Sequence, residues 1–174
     1  MDVTPADGAL SLDMEASRIL LVGEGNPQSW RLEHTLVNYP DGCAGHRLQR
    51  DILGLVPDIY HAIWRMNLCN RDSMLASGIS TRDYDKRVAA EVMRKEVMLP
   101  DAPWQLVILL GNKVREAFRS QMYLGVFESC QIERKMFVAL PHPSGRCREW
   151  NDYANYGRAQ KLVGQFTTLP IGGP

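Results

Sequence analysis

Two short loops hold the polar side chains best suited to chemistry. The first reads Gly23-Glu24-Gly25-Asn26-Pro27 and sets a carboxylate and a carboxamide among two glycines and a proline. Glycines let a backbone turn tightly and approach a ligand, and proline stiffens the exit, so both polar groups can be held in place. The second reads Pro141-His142-Pro143-Ser144-Gly145-Arg146. Flanking prolines restrain the imidazole while the loop leaves it accessible, which is a setting for acid–base or hydrogen-bond catalysis as well as for a structural histidine. Catalysis is expected from the first loop, with His142 as its partner.

Other polar positions carry two readings each. Asn67 closes an apolar run and is either an ordinary strand-end amide or a group that reads a ligand. Gly42 and Gly45 open a helix; its amide donors could approach a ligand oxygen, or the turn could simply pack tightly. His34, His46 and His61 have weaker claims, and His61 is expected at the surface. Cys43, Cys69, Cys130 and Cys147 form no Cys-x-x-Cys pair. Free thiols and no metal site are the expectation. No P-loop or complete dinucleotide fingerprint is present.

The elements that must position these loops emerge from apolar patterning. Residues 19–22, 106–110 and 137–140 are short unbroken apolar runs, which suit strands buried on both faces of a parallel sheet. Residues 63–68 add a further strand, and 123–128 an extended segment. Helices are expected through Leu48, Ile52 and Leu55, over 58–63 after Pro57, from a Ser80 or Thr81 cap to about Met98, through Val114, Ala117 and Phe118, and over 150–163. Buried runs alternating with helices predict a three-layer α/β/α sandwich with a short, mainly parallel central sheet. Residues 1–17 read as a loose lead-in, 18–165 as the domain and 166–174 as a frayed tail.

The 174 residues suffice for one buried core and are short for two domains. A formal net charge of zero excludes a strongly basic nucleic-acid binder by composition. It leaves room for a basic face: residues 111–174 hold nine basic and five acidic side chains, against four and nine in residues 1–60. Such asymmetry hints at an anionic partner. No apolar run reaches the roughly 18–20 residues of a membrane span. No secretory leader pattern opens the chain, so a cytoplasmic location is expected.

In combination these segments resemble the uracil-DNA glycosylase superfamily. Gly23-Glu24-Gly25-Asn26-Pro27 is similar to its first motif, with one residue more than the usual Gly-x-x-Pro spacing. Gly42-Cys43-Ala44-Gly45 followed by Leu48 resembles the Gly-x-Ala-Gly helix start of the thermostable branch. Asn67-Leu68-Cys69 followed by Arg71 resembles that branch's strand ending in Asn. Leu109-Leu110-Gly111 matches a strand–glycine–helix step, and His142-Pro143-Ser144 the second signature. The likeness spans residues 18–164 and keeps the family's order. The iron–sulphur cysteine pair of the thermostable branch is missing, so no cluster and no other cofactor are expected.

The resemblance implies a monofunctional, monomeric DNA glycosylase that acts on a base flipped from the duplex and leaves an abasic site. Glu24 and Asn26 would serve the sugar cation or its attacking water, and His142 would donate to the departing base. Asn67 would read the base's pairing edge, Gly25 would line the pocket and Tyr39 would stack on the base. Gly145 and Arg146 would enter the duplex, Arg146 and Arg148 would hold phosphates, and Pro143 and Ser144 would also bind DNA. Small polar Gln28-Ser29 implies a pocket tolerant of bulky bases, such as glucosylated hydroxymethylcytosine of phage DNA, besides uracil. Rival expectations are a hydrolase or transferase for free nucleosides, and a catalytically silent DNA-binding member of the fold.

Overall fold

A computed structural model describes residues 7–25, 35–68 and 93–172. Asn26, Pro27, Gln28, Ser29, Cys69, Arg71 and most of the helix expected from Ser80 or Thr81 lie outside the described residues. Three apolar runs make the centre of the sheet. Ile19–Gly23 (β1) and Leu106–Leu110 (β3) are buried at every position, and Lys135–Leu140 (β5) over its last four. Trp64–Asn67 (β2) and Ser129–Ile132 (β4) form the edges, giving the order β2-β1-β3-β5-β4. The pairs β1–β2, β1–β3 and β3–β5 are parallel, and only β4 runs antiparallel, along β5.

Because side chains alternate along a strand, each central strand needs cover on both faces. Ile19, Leu21, Ile108, Leu110, Val138 and Leu140 pack on one face, beneath α1 (Asp7–Ala16), α2 (Ala44–Arg47), α3 (Pro57–Ala62) and α5 (Ala154–Gly164). A wider turn, Leu48–Ile52, prolongs α2 and places Leu48 and Ile52 in that layer. Leu20, Val22, Val107, Leu109, Phe137 and Ala139 pack on the other, with Met93 and Val97 of the turn Met93–Val97, α4 (Asn112–Ala117) and Phe118. Each such side chain contributes roughly 1.5–3 kcal/mol when fully buried, so the two layers together hold the sheet. The fold is the three-layer α/β/α sandwich expected. Among the described residues no helix is long and apolar enough to cross a membrane.

Three local expectations are corrected. The extended segment placed at 123–128 holds a turn at 126–127 and pairs as no strand; the strand begins at Ser129. Phe127 sits at φ 59, outside strand geometry, while its N–H donates to Ala139 O at 2.8 Å and starts the pairing one step later. Residues 7–16, expected within a loose lead-in, form α1, whose Ala16 is fully buried. The tail is docked over 167–172 rather than frayed. Glu15 Oε1 accepts from Thr167 Oγ1 (3.0 Å) and Thr168 N (3.2 Å), Leu169 is buried, and Gly172 N donates to Leu53 O at 2.7 Å.

The topology also places a switch point in the sheet. From β1 the chain goes to β2 on one side and then crosses to β3 on the other. The carboxyl ends of β1 and β3 therefore lie at the point where the strand order reverses, the usual ligand position in open α/β sheets.

Candidate active site at the carboxyl edge of the sheet

Strand order alone sets out a row along this edge: Asn67 ends β2, Glu24 comes after β1, Lys113 after β3, and His142 after β5. Neighbouring strands lie about 4.8 Å apart, within reach of side chains.

At one end, Asn67 pairs with Gly23 in the β1–β2 register and is only 9% exposed. A Cβ on Gly23 would lie 2.8 Å from Asn67 Oδ1 and 3.3 Å from Leu36 Cδ1, so glycine there makes room for the amide. Among the described residues the Asn67 side chain has no hydrogen-bond partner. Its donor and acceptor are thus uncommitted among the described residues, and both suit a ligand with matching polar groups.

At the other end, His142 is held from three sides. Ser144 N donates to its Nδ1 at 3.1 Å, and Trp150 Nε1 donates to its carbonyl at 2.9 Å. Trp150 is itself buried against the rings of Phe127 and Tyr156, with centroids 5.9 and 5.1 Å away. Gly111 provides the third constraint. It adopts φ 98, and a Cβ there would stand 3.1 Å from His142 Cβ. Burial lowers the His142 pKa below its ordinary 6.5; the Glu24 carboxylate pulls it back up, and Lys113 pushes it further down. Burial thus favours the neutral ring. With Nδ1 accepting from Ser144, the proton resides on Nε2, which is left as a donor.

Between them, Glu24 is 29% exposed and accepts from Lys113 Nζ at 2.8 Å through Oε1. Lys113 was not among the residues singled out from the sequence. Its one local signal is a cation in the first turn of a helix, where the dipole disfavours it. Trp150 was likewise expected only as part of the closing helix.

The remaining predicted residues divide. Gly25 is exposed beside Glu24. Pro143 is buried, Ser144 contributes its backbone N–H, and Gly145, Arg146 and Arg148 are exposed on the loop after β5. A Cβ on Gly145 would lie 3.3 Å from Arg47 Nη1, and Arg47 Nη2 donates to Tyr156 OH at 3.2 Å, so α2 and α5 flank this loop. Among the described residues no contact brings Tyr39 onto the row, and it is 79% exposed. Asn26 lies outside the described residues. At Gly45 the packing reading holds, because the Leu36 and Val37 carbonyls occupy the space a Cβ would need. Cys43 caps that helix, its Sγ accepting from His46 N and donating to Val37 O at 3.1 Å. Among the described residues no three His, Cys, Asp or Glu side chains gather as a metal would require.

The sequence matches no family model and no curated protein. Functional assignment therefore rests on the chemistry of the row itself. It sets a carboxylate, an imidazole donor and an amide that has no partner among the described residues along one edge of the sheet. Such a set can stabilise positive charge at one point and negative charge at another, while the amide reads the group between.

Proposed function

We propose that the protein is a DNA glycosylase that hydrolyses the N-glycosidic bond of a flipped pyrimidine and leaves an abasic site. Uracil and modified cytosines, including glucosylated hydroxymethylcytosine of phage DNA, are the candidate bases, and which of them is cleaved decides between a role in repair and one in phage defence. The observation that carries the proposal is His142, whose Nδ1 accepts from Ser144 N and so leaves Nε2 as the donor, on the same edge as the Glu24 carboxylate. Breaking this bond passes through a state with positive charge on the sugar and negative charge on the departing base. Glu24 supplies the negative counterpart for C1′, alone or through a water held with Asn26. Nε2–H of His142 donates to the base oxygen where the negative charge grows. A neutral donor suits that task, because it stabilises the anion without first giving up its proton.

Asn67 has both a donor and an acceptor to offer the pairing edge of the base, and neither is engaged among the described residues. Gly145, Arg146 and Arg148 are exposed next to His142 and suit insertion into the duplex and phosphate contact. The zero net charge fits a protein whose DNA contacts are local, acting as a monomer.

Duplex and single-stranded oligonucleotides carrying uracil or glucosylated hydroxymethylcytosine, incubated with the protein and then treated with alkali, test the proposal. Strand cleavage that depends on the modified base supports it. Turnover of free nucleosides without cleavage of any oligonucleotide would assign a nucleoside hydrolase instead. Salt-sensitive binding with no base release would leave a silent DNA-binding protein.

A further inference from the structure

Lys113 comes to the row from a third element, and its placement is not what local structure favours. In the first turn of α4 its charge opposes the helix dipole. Its ammonium nonetheless lies 2.8 Å from Glu24 Oε1, across 89 residues of sequence. The same ammonium acts on His142, against which Gly111, two residues before Lys113, is closely packed.

We propose that Lys113 is a positioning residue of this site, which holds the Glu24 carboxylate at the carboxyl edge of the sheet and keeps it from pairing with the His142 ring. The proposal rests on the roles given above to Glu24 and His142. Carboxylate and imidazole attract one another, and a direct pair would disable both. Glu24 would be turned away from the sugar, and His142 would hold a second proton and a positive charge. Lys113 competes for the carboxylate and repels a charge on the ring.

Among the described residues, few groups face His142. Glu24 approaches from the loop after β1 and raises its proton affinity; Lys113 approaches from α4 and lowers it. Within its own loop the Cys147 thiol lies near the His142 backbone and is engaged with Glu149 Oε2 at 3.0 Å. Burial is the largest influence and also favours the neutral ring. Removing Lys113 takes away its opposition to Glu24, so the pKa of the ring must rise.

A partly exposed ion pair often does little more than decorate a surface; Lys113 is 52% exposed. The test therefore reads His142 itself. Imidazole NMR titrations of the wild type, Lys113→Gln and Lys113→Arg report its pKa and tautomer without any substrate. The expected result is a midpoint raised in Lys113→Gln and near wild type in Lys113→Arg. On an oligonucleotide that the wild type cleaves, Lys113→Gln should lose about tenfold in kcat with KM within about twofold, its acid limb should move up in parallel, and Lys113→Arg should recover most of the loss. An unmoved His142 midpoint in Lys113→Gln overturns the proposal. So does a raised KM at unchanged kcat, which would make Lys113 a DNA contact. If the wild type releases no base from any oligonucleotide, the glycosylase reading fails by itself, and the titration still decides whether Lys113 separates Glu24 from His142.

Discussion

Gly111→Ala tests how His142 is held, and its effect can be worked from two features of the backbone. Gly111 sits at φ 98 and ψ 159, a region essentially confined to glycine, where a side chain costs about 1–3 kcal/mol. A Cβ at this position would also stand 3.1 Å from His142 Cβ and 3.3 Å from Cδ2, so the histidine must give by a few tenths of an ångström. It cannot give freely, because Ser144 N holds Nδ1 and Trp150 Nε1 holds the carbonyl. Urea unfolding should therefore show a loss of about 1–3 kcal/mol. Base release should fall by roughly tenfold to a hundredfold, since a displacement near 1 Å can cost about two orders of magnitude. Gly157→Ala is the control: Gly157 lies within α5, a Cβ there would meet nothing within 4 Å, and the change should stabilise by about 0.5–1 kcal/mol. Gly111→Ala with unchanged stability and unchanged base release would refute the role given to this glycine.

Individual groups carry further expected outcomes. A buried histidine whose pKa is lowered binds fewer protons folded than unfolded, so stability should fall as pH drops from the ordinary 6.5 towards the folded value, and level off below it; His142→Gln should flatten that part of the stability–pH curve, measured by urea unfolding. Burial first, then the hydrogen bond and charge of Glu149, push the Cys147 thiol up to about 11; Glu149→Gln should speed its alkylation near the ordinary thiol value of 9.0, tracked by mass mapping. Asn67→Ala removes an amide that has no partner among the described residues, so unfolding free energy should change by less than about 1 kcal/mol while discrimination between cleaved and uncleaved bases drops sharply. Glu24→Gln and Asn26→Asp, compared on one substrate, should differ in kcat at similar binding, the larger loss marking the group that serves the transition state.

The central strands were legible because burial on both faces leaves an unbroken apolar run, and residues 19–22, 106–110 and 137–140 each became one. The loops after β1 and β5 were legible as carriers of polar groups for the same reason, since parallel strands ending in glycine or proline deliver their loops to one edge of the sheet. Contacts between distant segments were not legible. The partner of Glu24 lies 89 residues away, and the anchor of α1 is a carboxylate meeting Thr167 across 152 residues. Ser144 was expected to act through DNA contact, yet it is its backbone N–H that fixes the tautomer of His142, and a backbone donor has no signature in a side-chain pattern. The start of β4 was misplaced because Phe127, an apolar residue that reads as strand, adopts a positive φ for which its sequence gives no sign.

Single-turnover base release from one cleavable oligonucleotide, compared between the wild type, Glu24→Gln and His142→Gln, bears most directly on the proposed activity. The expected result is release by the wild type and a loss of about a hundredfold to a thousandfold in each variant, with DNA binding little changed. Variants that release the base as fast as the wild type would contradict the roles of both residues, and a wild type that releases none from uracil or modified cytosine would contradict the activity itself.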